Sequence, residues 1–390
     1  MISAFSLLVT ALVAFIIYDF IQKFQRWRKM PPGIVTGNGS LWQDNRRFTM
    51  RTLRDFGFGK TTLDGIISNE ALALCDVFKK KAKDPFDLDY SVNVAVLNVI
   101  WKMTADEQYP HEDVRMANFM QLLTLNLEDA RTLGPIQFVP ILKYLYIPAF
   151  QAYRRVKNRI EGIIAGFKGK VDEHKNNFDP DNIRDYIDAY LQEMKAQQSR
   201  GEVNKHFSDL QLRVNIQNLF FAGSETTANT TRWAILFLLR DPKVQERIQA
   251  YLQVAVRLQR GYPNGVCTNQ DVEFAGYTIP KGTIVMGNLW ACHFDPKYWP
   301  DPFKFDPTRF LESDGTLKTK IPSFLPFSLG KRQCLGESLA KMELFIFITV
   351  FMQRFSFRLP EGATMPSTEP SFSAIVNRPR PFKIVAEERT

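Results

Sequence analysis

Phe327-Ser328-Leu329-Gly330-Lys331-Arg332-Gln333-Cys334-Leu335-Gly336 is the stretch whose reading decides the fold. One cysteine stands between two glycines, with a basic residue two positions before it and a strongly apolar run after it. That arrangement suits a thiolate ligand to a flat, dianionic, iron-bearing macrocycle. Gly330 lets the backbone approach a planar ring where a Cβ would collide. Arg332 can reach an anionic edge group of such a ring. Cys334 is expected to open a helix starting at Leu335, and the positive end of the helix dipole there is expected to lower the thiol pKa. Gly336 lets backbone N–H groups approach the sulfur, where they tune the metal. The bland alternative is a core cysteine before a helix, the commoner fate of a free Cys.

Outward from this stretch the pattern is mostly helical, without internal repeats. Leu335 to Met352 is apolar nearly all round, as a buried helix should be. Phe207 to Leu239 reads as a long helix interrupted by Ala222-Gly223, and Asp181 to Met194 as an amphipathic one. Ser40-Leu41-Trp42-Gln43 looks like a capping box opening a helix to Asp55, with a stop at Gly57. Trp42 and Arg46 then share one face of that helix. Asp271 to Ile284 carries the turn chemistry and short alternating runs of small strands or a hairpin. Asp295 to Pro307 is an irregular, proline-rich meander.

Ala222-Gly223-Ser224-Glu225-Thr226-Thr227 lies inside the long helix. A mid-helix Gly costs about 1 kcal/mol relative to Ala, so it wants a reason. Room for a ligand against the backbone is one reason, and an adjacent acid and hydroxyl can hold a water and relay protons. The plainer alternative is a Thr bonded to the carbonyl four residues back beside a solvent-facing Glu.

The 390 residues are enough for one large core or two medium ones, and the formal charge is +9. Nothing resembles a nucleic-acid stripe, so a membrane surface or an acidic protein partner is the expected counterpart. The four cysteines, Cys75, Cys267, Cys292 and Cys334, have no paired spacing, which points to a reducing compartment. A zinc site from Cys267, Cys292 and His293 lacks any CxxC or HxxxH spacing and is a weak reading. Met1 to Tyr18 has no charged residue and as a helix spans roughly 27 Å, about a hydrocarbon layer. A basic cluster, Lys23 to Lys29, follows it, and Pro31-Pro32-Gly33 makes a stiff spacer. Together these read as an uncleaved anchor with the rest of the chain in the cytosol, rather than a cleaved signal peptide.

With Phe327, Gly330, Arg332, Cys334 and Gly336 in register, the chain resembles the cytochrome P450 family, the haem-thiolate monooxygenases of microsomal animal type. The resemblance implies a mainly α fold with small β-sheets and an N-terminal transmembrane helix. It divides the chain into an anchor (1–22), a basic, proline-rich linker (23–37) and a haem-binding catalytic domain (38–390). It implies haem b, iron protoporphyrin IX, with Cys334 as the iron ligand and Arg332, Trp42, Arg46, Phe327, Gly330 and Gly336 around the cofactor. The pair Trp42 and Arg46 matches the family's WxxxR contact to a haem propionate, and Ala222 to Thr227 matches its oxygen-side motif. Thr226 would sit beside bound oxygen and Glu225 in the proton path. The implied reaction inserts one oxygen atom from O2 into small lipophilic substrates such as xenobiotics, fatty acids or steroids. An NADPH-dependent reductase would supply electrons, with Lys331 and Lys341 on the docking face, and the site would be the endoplasmic-reticulum membrane.

The chain also departs from the family pattern. Gly33 is followed almost at once by Ile34 to Ser40 and the Trp42 helix, where the family places strands and two further helices. Arg257 stands where the ExxR acid is expected, while Arg260 and Arg309 match the family's two arginines. These gaps look like lost blocks. They keep open an alternative: an inactive or haem-deficient truncated relative acting as a membrane-tethered binding protein.

Overall fold

The computed structural model describes residues 33–35, 37–57, 62–82, 84–130, 148–201, 206–241, 266–268, 270–319, 321–371 and 377–389. Nine α-helices are described: α1 (Gly39–Asp55), α2 (Thr62–Lys80), α3 (Asp89–Ala105), α4 (Val114–Ala130), α5 (Pro148–Asn176), α6 (Tyr186–Ser199), α7 (Asp209–Arg240), α8 (Leu289–Phe294) and α9 (Glu337–Arg354). The strands are few and short. β1 (Phe86–Asp87), β7 (Lys383–Glu388) and β6 (Phe355–Arg358) form one antiparallel sheet in that spatial order. β2 (Val266–Cys267) pairs with β5 (Ile284–Val285), and β3 (Val272–Phe274) with β4 (Tyr277–Ile279) across the Ala275-Gly276 turn.

Two helices organise the core. In α2 the residues Leu63, Ile67, Ala71, Leu74 and Phe78 recur on one stripe and are fully buried. Each large apolar member of that stripe contributes about 1.5–3 kcal/mol through burial. The stripe packs on α3, on the C-terminal half of α7 (Ala228, Trp233 to Leu239) and on α9 (Phe347, Ile348, Phe351). A second cluster gathers α1, α4, α5 and α6 around the N-terminal half of α7 (Leu212, Ile216, Leu219, Phe220). Both α3 and α7 therefore serve two cores, and Ala222-Gly223 lies where α7 passes from one to the other.

Polar contacts fix how α1 sits. Asn45 donates to the His206 carbonyl at 2.7 Å and accepts from Asn215 at 2.8 Å and from Tyr190 at 3.1 Å. Thr49 meets the Tyr186 hydroxyl at 2.9 Å. Burial pushes that Tyr186 phenol up to about 12, so it stays a neutral hydrogen-bonding group. The face of α1 that carries Trp42 and Arg46 is thereby held in register with α6 and α7.

The expected membrane-spanning helix is corrected here. No helix among the described residues is long and apolar enough to cross a membrane. The two longest, α5 and α7, are interrupted by charge: Arg154, Arg155, Lys157 and Arg159 in α5, and Arg213, Glu225 and Arg232 in α7. The membrane tether and the endoplasmic-reticulum placement rested on that helix, and no described helix supports them. The stretch 1–22 on which it was placed lies outside the described residues, as do Arg257 and Arg260.

Candidate functional site

The Cys334 loop is built by backbone hydrogen bonds. Ser328 N–H donates to the Leu325 carbonyl, and Gln333 N–H to Gly330. Cys334 N–H returns to the Phe327 carbonyl at 2.8 Å. Closing the loop needs left-handed backbone at Ser328 (φ 61°) and Gly330 (φ 72°), and only the second has a residue suited to it. A 3-10 turn over Gly330–Arg332 carries the chain into Cys334, and α9 begins at Glu337 with Gly336 as its N-cap. Phe327 is half-buried, with the Lys341 ammonium 5.7 Å from its ring centroid.

The Cys334 thiol is exposed to a cavity of roughly 620 Å³ between α1 and this loop. Trp42, Arg46, Arg47, Arg54 and Lys331 share its wall. The expected lowering of the thiol pKa is not what the structure shows. Burial of the sulfur by surrounding protein raises it, and the Glu337 charge adds to the rise. A hydrogen bond from the Gly336 N–H and the Arg46 charge oppose it. The helix also starts two residues later than the sequence suggested, so Cys334 lies outside its first turn. Cys75 provides a contrast. It is buried in α2, and burial pushes its thiol up to about 12.

The three donors named from the sequence converge. The Arg332 guanidinium lies 3.5 Å from the Trp42 ring centroid, and that of Arg46 lies 5.7 Å away. Trp42 Nε1 donates to the Ile34 carbonyl at 2.9 Å. Arg332 donates to the Gly37 carbonyl and Asn38 Oδ1, both at 2.7 Å, and Arg46 donates to the Gln333 carbonyl. The acceptors Gly37, Asn38 and Gln333 carried no signal in the sequence. Two backbone carbonyls and an amide oxygen thus already engage the two guanidinium groups.

The oxygen-side motif is placed differently from the Cys334 cavity and does not line it. Thr226 is half-buried and donates to the Ala222 carbonyl at 2.7 Å, the local bond of the plainer alternative. Glu225 does not face solvent as that alternative required. It is buried and accepts from Asn93 of α3 and from Asn229. Gly223 makes room for a side chain: a Cβ there would lie 2.7 Å from Ile100 Cδ1. Neighbouring Glu343 of α9 is buried, and burial raises its carboxyl well above the usual range against a hydrogen bond from Thr227.

The weak zinc reading is not supported by the contacts of its members. His293 accepts the Leu325 N–H at 2.8 Å, and the Cys292 carbonyl accepts from Trp299 Nε1. The first contact pins α8 to the segment before the Cys334 loop and the second pins it to the meander; the Cys267 side chain lies outside the described residues. His174, Asp185 and Asp188 are the described group with metal-like spacing. Its atoms already have partners: His174 with Asp185 at 2.8 Å and the Lys170 carbonyl, Asp185 with the Asp188 N–H, and Asp188 with Arg184. It is a knot tying α5 to the start of α6.

The sequence profile of the family described as Cytochrome P450 matches residues 19–264 and 255–386. Cytochrome P450 2L1 of Panulirus argus is 35% identical over 389 residues, covering 92% of this chain and 78% of that protein. The chain belongs to the cytochrome P450 family. Cytochrome P450 2J2 of Homo sapiens is 36% identical over 363 residues, covering 85% and 70% of the two chains. Vitamin D(3) 25-hydroxylase of Sus scrofa is 34% identical over 386 residues, covering 91% and 76%. The mainly helical P450 fold and a P450-type oxidoreductase function follow from this membership, and the family implies haem as cofactor.

Proposed function

We propose that the chain is a haem-thiolate monooxygenase acting on small lipophilic molecules, with Cys334 as the iron ligand. The observation that carries this reading is the Cys334 loop: an exposed thiol, facing a cavity, with the Gly336 N–H on its sulfur and guanidinium groups beside it. That donor set fits haem. A thiolate is a suitable axial ligand, an N–H bond to it tunes the metal, and cationic donors match the carboxylates at the ring edge. When bound, haem supplies the activation of O2 that no side chain of this protein can perform.

The chain's own residues do the rest. Arg46 and Arg332 hold the anionic edge after releasing the Gln333, Gly37 and Asn38 acceptors, and Trp42 stays fixed on the Ile34 carbonyl as the platform beneath them. Thr226, held by the Ala222 carbonyl, holds a proton on the oxygen side, and Glu225 is the acid that replenishes it. Exposed Lys331 and Lys341 make a basic face that suits an acidic electron-donating reductase. We also infer that the chain is shortened relative to its relatives. It spans 70–78% of the length of the three named above. The sequence places the losses after Gly33 and at the ExxR helix.

The reduced, carbon-monoxide-bound spectrum tests the reading. A thiolate-type band is expected from the haem-loaded protein and is expected to disappear in Cys334→Ala. An unchanged band in Cys334→Ala removes the ligand assignment. No haem uptake by the wild type favours the haem-deficient alternative, for which the prior engagement of Arg46 and Arg332 by protein acceptors is the supporting observation.

A further inference from the structure

Glu225 and Arg232 are seven residues apart on α7, so they share a face but lie roughly 10 Å apart along the axis. Both are buried, with exposures of 2% and 3%. Two asparagines span the gap. Asn229, on the same helix, accepts from Arg232 Nη1 at 2.7 Å and donates to Glu225 Oε2 at 3.1 Å. Asn93, from α3, accepts from Arg232 Nη2 at 2.5 Å and donates to Glu225 Oε1 at 3.1 Å. Its Nδ2 also faces the Met120 sulfur at 3.8 Å.

Both branches run with the same polarity. The guanidinium donates to an amide oxygen, and the amide N–H donates to a carboxylate oxygen. Flipping either amide would set NH2 against guanidinium and oxygen against carboxylate, so the charges at the two ends fix each orientation. Each amide is polarised the same way from both sides, which strengthens the chain of bonds in a low-dielectric interior. Two buried charges are thereby linked through amides. The branches are not equivalent, however. Asn229 belongs to α7 and moves with Glu225, whereas Asn93 ties the carboxyl to another helix.

We propose that Asn93 is a positioning residue for the acid of the oxygen motif. With Asn229 it forms a double amide bridge to Arg232 that holds the Glu225 carboxyl against α3, and the Asn93 branch is the one that opens when Glu225 turns toward Thr226. The functional half of this proposal rests on α7 being the helix over the oxygen site; the bridge itself does not.

The experiment has two readouts. Asn93→Leu and Glu225→Gln are made singly and together, and each protein is unfolded in urea as purified. The two changes are expected to be non-additive by on the order of tenfold in the unfolding equilibrium, because Gln keeps one of the two oxygens the amides donate to but loses the charge that polarises both branches. Additive effects overturn the bridge. On haem-loaded protein, Asn93→Leu is expected to change the rate of aerobic reoxidation after dithionite reduction severalfold while leaving the carbon-monoxide spectrum intact. It is expected to add nothing when residue 225 is already Gln. Lost stability with a wild-type reoxidation rate assigns Asn93 a structural role only and overturns the positioning role. If Asn93→Leu does not fold, Asn93→Ser removes both bonds at lower steric cost and carries the same cycle. A wild type without a thiolate band refutes the haem reading, and the urea cycle still decides the bridge.

Discussion

The helical core and the segment from β2 to the Cys334 loop are held together in opposite ways. In the core, α2, α3, α7 and α9 interlock through side-chain volume: Phe78 meets Phe351 at 5.3 Å and Phe355 at 6.0 Å between ring centroids, and all three are essentially without exposure. Between β2 and the loop, Phe274, Tyr277 and Phe303 are 68%, 75% and 73% exposed. Trp299 and Phe310 are buried there in a small cluster with Phe305, Ile321 and Phe324. That region is held by backbone bonds instead. Arg309 alone donates to four carbonyls, those of Asp306, Pro300, Asp301 and Lys304. One half of the molecule is specified by shape, the other by hydrogen-bond geometry.

The largest effect that can break this contrast is expected in the core. Phe351→Ala removes a ring at the centre of the aromatic cluster and is expected to cost about 3–5 kcal/mol of unfolding free energy, measured in urea. A loss below about 1 kcal/mol would show that the core does not depend on shape. Arg309→Leu is expected to come next, at about 1–3 kcal/mol for the carbonyls it leaves without a donor. Limited proteolysis should locate the loosening between Asp295 and Leu311 and leave the helices uncut. Global unfolding at the same midpoint as the wild type, with no new cleavage, would contradict it.

Much of the core was legible because it is periodic. The long helix expected over Phe207 to Leu239 is observed as Asp209–Arg240, and the apolar run from Leu335 is the helix Glu337–Arg354. The Ala275-Gly276 hairpin was equally plain from its turn residues. Helix starts were less legible. Asn38 is the N-cap of α1 without any side-chain cap, so the expected capping box at Ser40 does not form. The amphipathic helix read from Asp181 starts at Tyr186, where Asp185 caps it. At the site, Trp42, Arg46, Arg332 and Cys334 were found because their spacing is local or matches a family pattern. Asn93 and Ile100 were not, because their roles depend on α3 lying against α7, a contact over more than a hundred residues. The thiol pKa was misjudged for a related reason: it depends on how much protein packs around the sulfur and on the Glu337 charge.

The smallest expected effect sharpens the contrast through pH. Burial alone would lower the His174 pKa, but the hydrogen bond and charge of Asp185 outweigh it, and the folded value is raised. The knot between α5 and α6 therefore contributes its full stability below the ordinary histidine value of about 6.5 and loses it as pH rises through the higher folded value. Wild-type urea midpoints should fall across that window, and His174→Gln should flatten the fall. An equal slope in the variant would move the pH dependence to another group.

The contact between Gly223 and Ile100 has a consequence for how this chain can change over time. A methyl group at position 223 collides with Ile100, so the two positions form one unit of volume shared by two helices. Gly223→Ala alone should be a damaging allele, and trimming the opposite side chain, as in Ile100→Val or Ile100→Ala, should rescue it. A screen for second-site suppressors would then return to α3, and the two codons would drift as a pair although 122 residues of sequence separate them.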